Sequence, residues 1–291
     1  MDEIVTKIAF IGAGKIAYSI IPCILEKGYK LEWIIEKNEA QLKRTVDKFN
    51  PKNFDVKIKQ TIQSADIFVL AVNDDQIQDT ANRIAALASD FINKLFIHLS
   101  GAKNLSVLKS LKDKNASVVS CHILQTFPSF ERQNIFGVYA AIQEDNLNQN
   151  TKRMFYDLLK NLELRYFKLK EEEKTIYHLA AVFISNLIVA NFEIADELLN
   201  SLESELPPTE EIFSALALNT LFNISESGIE KALSGPLERG DVATIKNHLN
   251  IIPNNQIKLI YKNLSTKILE TAKRKGSLDN KKYNEILKLL K

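Results

Sequence analysis

As far as Phe167 the chain alternates short apolar strands with helical patterns, whereas from Lys170 every apolar run has a period of 3.6 residues and no strand signal recurs. That switch leaves few architectures open. Residues 7–11, 31–35, 66–72, 95–99 and 117–119 read as strands, and 138–142 and 164–167 extend the series around a helix over 151–162. Strand and helix in alternation require right-handed crossovers, and so an α/β doubly wound parallel sheet with helices on both faces. The expectation is such a domain over residues 1–168 and an all-helical domain over 169–291. The 291 residues, 45% of them hydrophobic, suffice for two buried cores.

The first strand runs directly into Gly12-Ala13-Gly14-Lys15-Ile16-Ala17 and then a helical pattern. Gly12 permits a tight turn, Gly14 lets the backbone approach a ligand, and Ala17 takes the third small position. A pyrophosphate lying on the N-terminus of the next helix fits this strand–turn–helix context, so residues 12–17 are candidate dinucleotide contacts.

Open parallel sheets bind ligands beyond the carboxyl ends of their strands, and several such ends are polar here. After the second strand, Glu36 suits the ribose hydroxyls of NAD, whereas Lys37 suits the 2′-phosphate of NADP; NADP is narrowly preferred. Val72 and Asn73 lead into Asp74-Asp75-Gln76-Ile77, where an acidic side chain favours a helix start. Ser100 and Gly101 place a hydroxyl and a flexible backbone near the expected nicotinamide. His98, within an apolar strand, reads as a satisfied core histidine.

His122 and Gln125 lie three positions apart at a strand-to-loop junction. Histidine is readily tuned to exchange protons near neutral pH, which makes His122 the candidate proton donor, and Gln125 can orient a carbonyl or carboxylate. The bland alternative for His122 is a turn cap. Nothing lowers the expected thiol pKa of Cys121 beside it, which argues against nucleophilic catalysis.

In the helical half, a helix over 171–201 carries apolar residues on more than one face and requires cover on more than one side. Its Tyr177-His178 and Ser185-Asn186 lie about two turns apart on one face. Asn186 is an amide in an apolar stretch that needs a partner, substrate or structural. Pro207-Pro208-Thr209 ends that segment, and Thr209 is expected to cap the next helix. Asp241 is placed to cap a helix through Thr244 and His248. Arg239 can clamp a carboxylate or phosphate, or pair with Asp241 or Glu238.

Charge and cysteine content narrow the partners. With 38 basic and 36 acidic side chains, no net field favours nucleic acid or an anionic membrane. Cys23 and Cys121 cannot build a disulfide framework, and no metal-ligand spacing occurs, so no metal is expected. No targeting signal precedes the first strand, and no apolar run is expected to reach the ~20 residues that span a bilayer. A cytoplasmic setting and a small-molecule substrate follow as expectations.

Together these stretches resemble a family of bacterial Rossmann-like oxidoreductases whose helical C-terminal domain has no assigned substrate. The likeness lies in Ile11-Gly12-Ala13-Gly14, the run 72–77, His98-Leu99-Ser100-Gly101-Ala102, the run 122–127, the helix 177–186, and the run 232–241 with Thr244 and His248. Broader relatives are pyrroline-5-carboxylate reductase, ketopantoate reductase, the beta-hydroxyacid dehydrogenases and the deazaflavin-dependent NADP oxidoreductases. The resemblance implies an NAD(P)-dependent reductase or dehydrogenase, a homodimer through the helical domain, with the active site expected in the interdomain cleft; the residues themselves point to His122 as proton donor, with Gln125, Asn186 and Arg239 orienting the substrate. Ile123 stands where that family usually has proline, and Glu36-Lys37 where it tends to have Ser-Arg. No lysine stands one turn before Asn186, so the lysine–asparagine mechanism of the beta-hydroxyacid dehydrogenases does not transfer. A dinucleotide-binding sensor without turnover is the rival reading.

Overall fold

The structure, a computed structural model, describes residues 5–59 and 63–291. It divides into two compact units, Met1–Ser185 and Asn186–Lys291. The division falls inside the helical run expected to open the second domain, because the first part of that run packs onto the sheet of the first unit.

The first unit contains strands β1 (Lys7–Ile11), β2 (Lys30–Ile35), β3 (Asn53–Asp55), β4 (Ile67–Leu70), β5 (Leu95–His98), β6 (Ser117–Ile123), β7 (Tyr139–Asp145) and β8 (Arg165–Lys168). Its helices are α1 (Ala17–Glu26), α2 (Glu39–Phe49), α3 (Ile77–Ala85), α4 (Lys109–Lys112), α5 (Gln149–Asn161) and α6 (Lys174–Ile184). The strands form one sheet in the order β3-β2-β1-β4-β5-β6-β7-β8. This is the doubly wound α/β architecture expected, with one difference: β7 is antiparallel to β6. No crossover helix separates these two strands, so the chain returns along the sheet instead of over it.

Apolar residues on both faces fix the strands in the interior. One face packs Phe10, Val119 and Ile142 against Ile21 and Ile24 of α1 and Phe155 of α5. The other packs Phe68 and Phe96, stacked with ring centroids 4.4 Å apart, against Ile84 of α3 and Leu111 of α4. Side-chain caps fix the helix starts where the sequence has Asn: Asn38 accepts from the Gln41 amide, and Asn148 forms a reciprocal box with Thr151. Ile16, at the N-cap of α1, supplies no such cap.

The second unit comprises α7 (Asn186–Leu199), α8 (Thr209–Ala232), α9 (Pro236–Arg239), α10 (Val242–Ile251), α11 (Asn255–Lys275) and α12 (Asn280–Leu290). Leu237, Ile245, Leu249, Leu269, Ile286 and Leu290 form its core. Asp241 caps α10 as expected, accepting from the Thr244 amide and hydroxyl. Thr209 does not cap α8: Pro208 occupies the N-cap position, and the Thr209 hydroxyl donates to Asp196 of α7.

The expected single helix over 171–201 is interrupted at Ser185, between α6 and α7. Several of its apolar side chains are exposed, Ile184 by 73%, and so is Phe222 of α8, by 62%. The run Glu171–Leu199 holds an 18-residue window of mean hydropathy 1.5, long and apolar enough by length and composition to cross a membrane. This corrects the expectation that no apolar run reaches that length.

Candidate active site

Gly12 adopts φ +93°, and a Cβ there would lie 2.5 Å from the Ala71 carbonyl oxygen of the neighbouring strand end. Only glycine fits both the conformation and the space. Its amide donates to the Ile35 carbonyl at 2.7 Å, locking the turn to β2. Gly14 differs: a Cβ there would meet nothing closer than Ala71 O at 3.7 Å. The turn thus needs Gly12 to fold, whereas Gly14 leaves its backbone bare beside a cavity of about 720 Å³.

That cavity is lined by Gly12, Gly14, Glu36, Lys37, Val72 and Asn73 among others. Glu36 accepts from the Ala13 amide and the Asn38 amide, each at 2.9 Å, so its carboxylate braces the glycine turn. Gln41 completes the brace by donating to the Ala13 carbonyl at 2.8 Å. Lys37 donates to Gln76 at 3.1 Å, holding an ammonium at the end of β2. Lys15 and Ile16 lie between the turn and the start of α1, and Ala17 is fully buried beneath them. A bare cradle, a helix start without a side-chain cap and a nearby ammonium fit a phosphate-bearing dinucleotide.

A second cluster forms at the ends of β5 and β6. Ser100 donates to Asp74 at 2.7 Å and accepts from the Ala102 and Lys103 amides, which fixes the loop carrying Gly101. A Cβ on Gly101 would lie 2.6 Å from His178 Cδ2 and 2.8 Å from His122 Nε2. Two imidazoles therefore reach this backbone only because it has no side chain. His122 Nδ1 is hydrogen-bonded to the Tyr177 hydroxyl at 2.7 Å.

Beneath these rings, Lys174 at the start of α6 is only 2% exposed and donates to the Ser120 hydroxyl of β6. Burial lowers its ammonium to a pKa of about 8. Burial, then the charges of Lys174 and His178, hold the His122 imidazole down to about 4, and burial pushes the Tyr177 phenol up to about 12. His122 is therefore uncharged at neutral pH. Desolvation outweighs the attraction of Asp74, so the ring would act as a neutral hydrogen-bond donor or acceptor there.

His98 is fully buried, and burial and Lys174 hold it at about 3. Neither ring nitrogen makes a hydrogen bond of full geometry among the described residues, the Asn104 backbone giving the ring only partial support, so the expected core histidine is incompletely satisfied. Burial pushes the Cys121 thiol up to about 12, which agrees with its exclusion as a nucleophile.

The other sequence candidates lie outside this cluster, in the loop after β6, or belong to the second unit. Both ends of the Gln125 amide are engaged in its own loop, donating to the Asn134 carbonyl and accepting from the Thr126 amide. Asn186 opens α7 and Arg239 ends α9, both in the second unit. Lys174 and Ser120 did not stand out in the sequence. Lys174 follows three glutamates, which reads as solvated charge, and only its i, i+3, i+4 spacing to Tyr177 and His178 hints at a shared face.

Comparison with known proteins bears out the resemblance on both sides of the sheet-to-helix transition. Residues 7–100 match the family described as NADP oxidoreductase, coenzyme F420-dependent, and residues 140–268 match a domain of unknown function, DUF2520. Over 156 residues the chain is 27% identical to the pyrroline-5-carboxylate reductase of Haemophilus influenzae. The match covers 52% of this chain and 54% of that protein, so the chain spans about half the length of this curated relative. Among solved structures, a Bacteroides fragilis protein designated an NADP oxidoreductase is 20% identical, with a TM-score of 0.72 over 91% of this chain and 98% of the other. A reductive aminase from Aspergillus terreus, solved with NADPH and ethyl-5-oxohexanoate, is 13% identical, with a TM-score of 0.60 over 98% and 92%. These likenesses show a Rossmann-like sheet followed by a helical C-terminal region.

Proposed function

We propose that the chain is an NAD(P)-dependent oxidoreductase, with NADP(H) as cofactor and a small carbonyl, imine or hydroxy acid as substrate. The observation that carries this reading is the contrast between Gly12 and Gly14: one is required by the turn, the other only by a ligand approaching the cavity beside it. Glu36 and Lys37 refine the cofactor. The Glu36 carboxylate is already engaged by two backbone amides, while the Lys37 ammonium stands at the cavity rim, an arrangement that suits a 2′-phosphate.

When bound, the nicotinamide supplies the hydride chemistry. Gly12, Ala13, Gly14, Lys15, Ile16 and Ala17 would hold the pyrophosphate, Val72 and Asn73 the nicotinamide-side ribose or phosphates, and Ser100 and Gly101 the nicotinamide end. His122 stands at the substrate's C=O or C=N group. Asn186 and Arg239 are the residues proposed to orient the substrate. The exposed apolar side chains of α7 and α8 are covered by a second copy in a homodimer, and the protein works in the cytoplasm.

The test is calorimetric titration with NADPH and NADH, followed by turnover assays against keto acids and cyclic imines. Saturable NADPH binding with turnover of at least one substrate class supports the proposal. Binding with no turnover across the panel favours a dinucleotide sensor, and no binding removes both readings.

A further inference from the structure

Lys174, Tyr177 and His178 share one face of α6, and Ser120 and His122 share one face of β6. The two faces meet at two points. Lys174 donates to the Ser120 hydroxyl, and Tyr177 is bonded to His122 Nδ1. Ser120 pairs in register with His98 of β5 on one side and Gln143 of β7 on the other, so the ammonium enters a buried polar row. Gln143 donates to the Lys170 carbonyl, but its Oε1 is unpartnered and neither His98 nitrogen makes a hydrogen bond of full geometry among the described residues. No salt bridge joins a carboxylate to Lys174 among the described residues.

A cation held this way is costly to bury, and a purely structural role would be better met by an apolar side chain. We propose that Lys174 is a positioning residue: its seat on Ser120 fixes the start of α6, so that the Tyr177 hydroxyl on the same face holds His122 Nδ1 and presents Nε2–H to a substrate as a hydrogen-bond donor at the Gly101 turn. When the Tyr177 hydroxyl donates to Nδ1, the ring proton resides on Nε2, the nitrogen that reaches Gly101. An uncharged donor polarises a carbonyl or imine without adding a second charge to the buried row.

The groups that face His122 are Lys174, Tyr177 and His178 from α6, Asp74 from the segment after β4, and His98 from β5. Lys174 and His178 disfavour an imidazolium and Asp74 favours one, while a Tyr177 hydroxyl that donates to Nδ1 needs that nitrogen unprotonated. This inference rests on the proposed reductase function for its purpose, but its test needs no substrate.

The experiment is histidine NMR on full-length protein labelled with ¹⁵N and ¹³C, with the four histidines assigned by single substitution. In the wild type, His122 is expected to hold its proton on Nε2 and to show no titration from pH 8 to pH 5. Titration near the ordinary histidine value, or a proton on Nδ1, overturns the proposal without any variant. In Lys174→Met the midpoint of His122 should rise by about one pH unit or more, while Lys174→Arg should restore the wild-type curve. A folded Lys174→Met protein with an unchanged His122 titration also overturns it. Failure of NADPH binding would instead remove the functional reading and leave the histidine result standing.

Discussion

Glu36 accepts a hydrogen bond from the Ala13 amide at 2.9 Å, so the end of β2 holds the glycine turn that follows β1. The same carboxylate also takes the Asn38 amide, leaving Lys37 as the charge presented to a cofactor. Lys37→Ala should weaken NADPH binding by roughly tenfold or more, the worth of one charge-assisted hydrogen bond, and leave NADH nearly unchanged. The wild-type preference should shrink as salt is raised. Calorimetry at several salt concentrations checks both; equal losses for the two cofactors would move the phosphate away from Lys37.

The two glycines of the turn should separate folding from binding. Gly12→Ala forces a side chain into φ +93° and against the Ala71 carbonyl, and should destabilise the protein by about 2–4 kcal/mol. Gly14→Val should melt close to wild type yet lose cofactor binding, because it fills only the ligand's space. Thermal denaturation paired with NADPH titration distinguishes them. Retained binding in Gly14→Val would refute the pyrophosphate site.

Acid should destabilise the fold through its buried histidines. His98 is held at about 3 in the folded protein against an ordinary value of 6.5, so between these values the unfolded chain binds a proton that the folded chain does not. Stability therefore falls as pH drops through that window, by up to about 1.4 kcal/mol per pH unit for this group. His122, held at about 4, adds in the same direction. His98→Leu should flatten the curve of Tm against pH between 6 and 4; an unaltered slope would show that His98 is not the group responsible.

His122→Gln should lower turnover by roughly 10²-fold, in the range a single positioned donor supplies, with NADPH affinity nearly intact. Asn186→Ala should instead raise KM, or lower Tm first if the amide is structural. Stopped-flow kinetics beside calorimetry separates these outcomes. Turnover unchanged in His122→Gln would place the donor elsewhere.

The sheet was legible because burial and backbone geometry write themselves into residue type. Gly12 marks a positive φ, Asp241 marks a helix start, and the continuous apolar stretch 67–70 marks a strand covered on both faces. The polar row was not legible. Lys174 follows Glu171-Glu172-Glu173, and its burial depends on the register that sets Ser120 between His98 and Gln143. The reversal at β7 escaped for a similar reason: residues 139–145 carry strand composition, and direction is decided by the connection rather than by the strand.

The strand order has a consequence for biosynthesis. β1 lies between β2 and β4, so one of its edges stays unmatched until residues 67–70 have been added. At ribosomal speeds of about 5–20 residues per second, the gap between Ile11 and Leu70 lasts about 3–12 s. During that interval a strand apolar on both sides offers a free hydrogen-bonding edge, the kind of segment that seeks a chaperone or a neighbouring nascent chain. The glycine turn is thus synthesised early but cannot take its final shape until Ala71, the residue that closes over Gly12, has arrived.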